Sequence, residues 1–223
     1  MKTIFRLLLV GLACLATSSQ AAPARVKVEY DPQRDTSCPG GGSIKEEWKA
    51  ELLARQAEFM RMWEKESPQL VAAVESITGK PFLAQEITAR LTLCNTPSES
   101  SPGADRVTVN MRFALASFTR TPVPMRYKVH TLFHELLHIF LYEHPLKDSP
   151  LLRDHAAEPE RVRGHLHLLA LQKAALLKLD ERDALSEIIA TDSALPGGFY
   201  KRAWEIVNAS DGEYSRYVAE LSR

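Results

Sequence analysis

Four of the chain's seven histidines stand within HTLFHELLHIFLYEH, residues 130–144, among large apolar side chains. Inside it, HELLH places His134 and His138 four residues apart, with Glu135 directly after the first. On a helix, residues i and i+4 lie one turn apart on the same face. Both imidazoles are therefore able to meet one zinc ion at about 2.0–2.1 Å. Glu135 lies off that axis, where it reaches the metal's water instead of the metal. Zinc brings the pKa of such water toward about 7, and a carboxylate beside it takes the proton as the water attacks a carbonyl.

The competing reading is a core helix that happens to carry histidines. At about 100° per residue, Tyr127, His130, Thr131, His134, Glu135, His138 and Tyr142 share one arc of about 140°. Val129, Leu132, Phe133, Leu136, Leu137, Ile139 and Phe140 fill the rest. Toward bulk water, Lys, Glu or Ser would serve such a stripe as well as histidine. Turned inward, it leaves Glu135 a buried carboxylate that needs a partner, and a divalent cation is one. All seven histidines (130, 134, 138, 144, 155, 165, 167) fall in one short segment.

HELLH matches the pattern H-E-x-x-H. Before it, Val107, Val109, Met111 and Phe113 alternate with Thr108, Asn110 and Arg112, the period of a strand with one buried face. A Pro-bounded connector, TRTPVPM, joins the two. Residues 105–145 thereby resemble the zincin metallopeptidases, in which an edge strand leads into the H-E-x-x-H helix and binds extended substrate beside the zinc. The resemblance implies a zinc-dependent hydrolase, foremost a metallopeptidase, acting on a polypeptide or another amide. His134 and His138 would be ligands, Glu135 the general base, and the strand around Asn110 the substrate guide.

A catalytic zinc usually has three protein ligands. His144, ten residues after His134, has the spacing of the metzincin pattern H-E-x-x-H-x-x-G-x-x-H. However, Leu141 replaces the helix-breaking glycine, and no methionine follows Met125 to form that family's Met-turn. On an unbroken helix His144 lies about 15 Å along the axis from His134, out of reach. Gluzincins instead draw a glutamate from a following helix, which here is VRGHLHLLALQKAALL. His165 and His167 project about 160° apart on it, so one helix can rarely present both to a single ion, and at least one of them is a core histidine. His165, on the face of Glu158 and Val162, is the preferred third ligand, with His167, His144 and Glu158 as alternatives. A fourth protein ligand would close the site, which leaves a second reading: an inactive metal-binding or interaction protein on a zincin-like scaffold.

The elements that must position these groups read as α+β. A small mixed or antiparallel sheet precedes a mostly helical C-terminal part built around the H-E-x-x-H helix. Strands are expected at 26–30, 87–94 and 105–115, with a loop between the last two. Ser43 and Glu46 suggest a capping box for a first helix, and PQLVAAVESITG a second that stops at Gly79. The central helix begins after Pro124 and ends before Pro145. Helices over PERVRGHLHLLALQKAALLKL, DALSEIIA, YKRAWEIVN and DGEYSRYVAELS complete the chain.

The N-terminus has the layout of a cleavable signal peptide over 1–21: Lys2 and Arg6, an apolar run from Leu7 to Ala16, then small residues. Cleavage predicts a secreted or periplasmic protein with a single zincin-like domain over 22–223. Gly11 weakens a lipoprotein reading through Cys14. The run is too short to be a permanent span, and no second apolar stretch of spanning length follows. Export leaves Cys38 and Cys94 as one pair in an oxidising compartment, where a disulfide is expected over a role for Cys38 as a metal thiolate. With 28 basic and 28 acidic residues in 223, the chain lacks the basic surplus expected of a nucleic-acid binder.

Overall fold

A computed structural model describes residues 25–30, 32–38, 43–101, 103 and 105–223. The leader expected over 1–21 lies outside them. Four strands occur among the described residues, β1 (Arg25–Tyr30), β2 (Glu86–Thr92), β3 (Glu99–Ser101) and β4 (Arg106–Asn110), in sheet order β1-β2-β4-β3. β1 and β4 both run parallel to β2, and β3 is antiparallel to β4, so the sheet is mixed. Alternation buries Ile87, Ala89 and Leu91 of β2 with Val107 and Val109 of β4.

Among the described residues, seven α-helices follow the order α1 (Glu46–Thr78), α2 (Met125–Glu143), α3 (Pro150–Asp154), α4 (Glu160–Lys178), α5 (Arg182–Ser193), α6 (Phe199–Val207) and α7 (Glu213–Leu221). The α+β class expected from the sequence is the observed one. α2 packs against α1, α4, α5, β3 and β4, and α4 packs in turn against α6 and α7.

Several local expectations are corrected. The two helices expected before Gly79 are one, because the buried stripe of Leu52, Phe59, Trp63, Leu70 and Val74 runs past Pro68. Pro68 is exposed, so the helical bond it cannot donate is lost on the solvent side. Gly79 ends the helix as expected, at φ 70 with its N–H on the Glu75 carbonyl. The Ser43 capping box does not form, since Lys45 is the N-cap and makes no side-chain cap. The last strand stops at Asn110 and gives way to a 3-10 turn over Arg112–Ala114. The loop expected between the last two strands contains β3.

Cys38 and Cys94 form a disulfide, 56 residues apart in sequence. Beside it the Asp35 carboxylate accepts from the Thr92 hydroxyl at 2.7 Å and from the Leu93 N–H at 2.9 Å. These contacts fasten the turn before Cys38 to the end of β2. No helix among the described residues is long and apolar enough to cross a membrane.

Candidate metal centre

Helix α2 is buried on most of its circumference, and its polar stripe faces protein rather than bulk water until Tyr142 at its far end. His134 and His138 come from this stripe and His165 from α4. Their nearest ring nitrogens all lie within 4.8 Å of one another. Among the candidates for a third ligand, the fold brings His165 to the pair.

Hydrogen bonds fix which nitrogens face inward. His134 Nδ1 is 3.2 Å from Gln172 Oε1, and His165 Nδ1 is 2.6 Å from the Arg161 carbonyl. Each acceptor requires a proton on Nδ1, which leaves the Nε2 lone pair directed away from it. Burial depresses the pKa of all three imidazoles, and charge repulsion from His165 adds to this for His134 and His138. The result is a set of neutral imidazoles converging on one point. That donor set suits zinc and neighbouring divalent transition metals. Bonds of about 2.0–2.1 Å would draw the nitrogens slightly closer together.

Glu135 is 4% exposed. Burial pushes its carboxyl up to about 8, and the Glu99 carboxylate adds to this, while the Ser100 backbone N–H favours the charged form. Both neighbours belong to β3. A cation at the three imidazoles would favour the charged form further.

Tyr200, which the sequence reading missed, completes the lining. Its hydroxyl is 3.4 Å from His134 Nε2, and its ring meets those of His134 and His165 edge-on, with centroids 5.6 and 4.9 Å apart. It occupies the first turn of α6, after Gly197 and Gly198 at φ 90 and 69, a conformation that strains other residues. Behind it the buried Asp192 accepts from Tyr127 Oη at 2.7 Å and Trp204 Nε1 at 3.0 Å, tying α5 to α2 and α6. Buried Lys128 adds a charge near Asp192, and desolvation lowers its pKa to about 8. The turn residues in LPGGFY were the only sequence signal for this placement.

The other candidates lie elsewhere. His167 is the core histidine, with Nε2 2.8 Å from Glu220 Oε2, a carboxylate that also accepts from the Ser149 hydroxyl and the Leu151 N–H. Glu158 is paired with Arg202. His144 caps the end of α2, where its Nε2 donates to the Pro81 carbonyl at 2.7 Å. His130, on the same stripe, lies beside Glu66 and Arg126 in a separate cavity. Cys38 and Cys94 form a second cluster with Asp35, but both sulfurs are committed to the disulfide.

The edge position expected for the strand around Asn110 is also corrected. The Asn110 amide donates to the Cys94 and Thr96 carbonyls and its oxygen accepts from the Arg112 N–H, so it builds the strand end. β4 is an inner strand covered by β3, and β3 presents the sheet edge beside Glu135. Comparison with models of known protein families, with curated proteins and with solved structures finds no match for the chain.

Proposed function

We propose that this protein is an exported zinc-dependent hydrolase, foremost a peptidase. The observation that carries the reading is the convergence of three neutral imidazoles beside a buried carboxylate. His134, His138 and His165 would hold the metal. Bound there, zinc supplies a Lewis acid that polarises a substrate carbonyl and acidifies water.

The chain's own groups account for the remaining work. Glu135 takes a proton at its carboxylate and passes it to the leaving nitrogen, a task suited to a group whose burial raises its proton affinity. The Ser100 N–H orients that carboxylate. β3 is the edge strand of the sheet and lies beside Glu135, so an extended peptide running along it would pass the carboxylate, which favours a polypeptide over a compact amide. Gln172 and the Arg161 carbonyl hold two rings in the metal-binding tautomer. The disulfide agrees with an oxidising compartment outside the cytosol.

The test is metal analysis of the purified protein together with Glu135→Gln. The wild type should hold one zinc per chain and cleave peptide bonds. The variant should keep its zinc and lose turnover by a factor of about 10²–10⁴ or more. Zinc in both proteins with cleavage by neither would favour the second reading, an inactive metal-binding protein.

A further inference from the structure

We propose that Tyr200 is a fourth protein ligand to the metal in the substrate-free protein, capping a centre that opens when the phenol leaves. This rests on the three-histidine reading above.

The first support is a distance. Two ligands of one tetrahedral zinc, each bonded at about 2.0–2.1 Å, lie about 3.4 Å apart. Tyr200 Oη and His134 Nε2 are separated by 3.4 Å. A hydroxyl donating to an imidazole nitrogen sits closer, at roughly 2.7–3.0 Å. The pair is therefore spaced as co-ligands rather than as a good hydrogen bond.

The second support is the missing alternative. The phenol is half-buried, and among the described residues its hydroxyl has no other hydrogen-bond partner. Buried tyrosine hydroxyls normally have one. The nitrogen it approaches is the one that Gln172 leaves with a free lone pair, so the phenol oxygen lies beside the nitrogen that would ligate. The edge-on contacts with His134 and His165 place the phenol beside two of the three rings.

The third support is the anchor. Trp204 lies one turn after Tyr200 on α6, and its indole N–H is held by Asp192, which also holds Tyr127 of α2. α6 is thus fixed to the metal-bearing helix one turn beyond the phenol. Beyond its 3.4 Å approach to His134, the Tyr200 side chain makes only ring contacts among the described residues, so it can rotate away without unmaking that anchor. When the phenol ligates, its O–H bond breaks and the proton leaves to solvent; when the phenol departs, it takes a proton back.

The experiment uses copper(II) as the probe, one equivalent added to the metal-free full chain. A phenolate bound to copper gives a visible charge-transfer absorption, and Raman scattering excited within that band carries tyrosinate vibrations. The wild type should show both. Tyr200→Phe should bind one copper and lose both signals, whereas Tyr142→Phe, at the exposed end of the α2 stripe, should keep them. One copper bound without the band overturns the cap but leaves the three-histidine reading standing. Failure of both copper and zinc to bind stoichiometrically overturns the two together. If Tyr200→Phe does not fold, as judged by circular dichroism, the wild-type band and its tyrosinate vibrations decide the matter, with Tyr142→Phe as reference. A band that persists unchanged in folded Tyr200→Phe assigns it to another residue and overturns the proposal.

Discussion

The amide oxygen of Gln172 lies 3.2 Å from Nδ1 of His134, so α4 supports the first candidate ligand as well as supplying the third, His165. The two residues are seven positions apart, two turns along one face of α4. Gln172 is 1% exposed, and its placement fixes the tautomer and tilt of His134. Gln172→Leu is therefore expected to weaken zinc binding by about 10–100-fold, read by competition with a chelator of known affinity. An affinity equal to wild type would remove Gln172 from the site.

His165 and His167 should separate cleanly. His165→Ala is expected to abolish stoichiometric zinc binding while the metal-free protein keeps its fold. His167→Ala removes a donor from Glu220 and is expected to cost about 1–3 kcal/mol of stability with zinc binding intact. Zinc analysis and denaturant unfolding of each variant measure the two effects. The reverse pattern would place the third ligand at His167.

What the sequence made legible is what local geometry decides. His134, Glu135 and His138 sit within one turn and a half of helix, so spacing alone sets their relative positions. His165 was legible only as one of two polar residues on an apolar helix, and the choice between them needed Glu220, more than fifty residues away. Tyr200 reaches His134 because Asp192 holds α6 to α2, and no local pattern encodes that packing. β3 was unreadable for a different reason. Its residues, Glu99, Ser100 and Ser101, have no apolar alternation, and pairing with β4 is what makes them a strand.

Acid should destabilise the metal-free protein through His130. Its ring is 3% exposed, neither nitrogen has a hydrogen bond, and Glu66 Oε2 is 3.7 Å from Nε2. Burial, with help from the Arg126 charge and against Glu181, lowers its pKa to about 4, from about 6.5 in the unfolded chain. As pH falls below about 6.5, the unfolded chain takes up a proton that the native state refuses, so stability is lost until about pH 4. The loss from this group is on the order of 3 kcal/mol. His130→Leu should flatten the dependence of stability on pH over that window by a similar amount, measured by urea unfolding with chelator present. An unchanged slope would show that His130 protonates without cost in the native state.

The disulfide and the metal centre should respond independently. The Cys38–Cys94 bond closes a loop of 56 residues, which on the chain-entropy model stabilises the fold by about 4 kcal/mol. The Asp35 contacts with Thr92 and Leu93 do not depend on the bond, so they keep the turn in place after reduction and moderate the loss. Neither sulfur belongs to the His134, His138 and His165 cluster. Reduction, or a Cys38→Ser/Cys94→Ser double variant, is therefore expected to lower the melting temperature while zinc stays bound at one per chain. Calorimetry with parallel zinc analysis checks both halves. Release of zinc on reduction would join the two regions energetically. Uptake of a second zinc would mean that Asp35 and the freed thiolates form a metal site of their own, which the disulfide keeps closed.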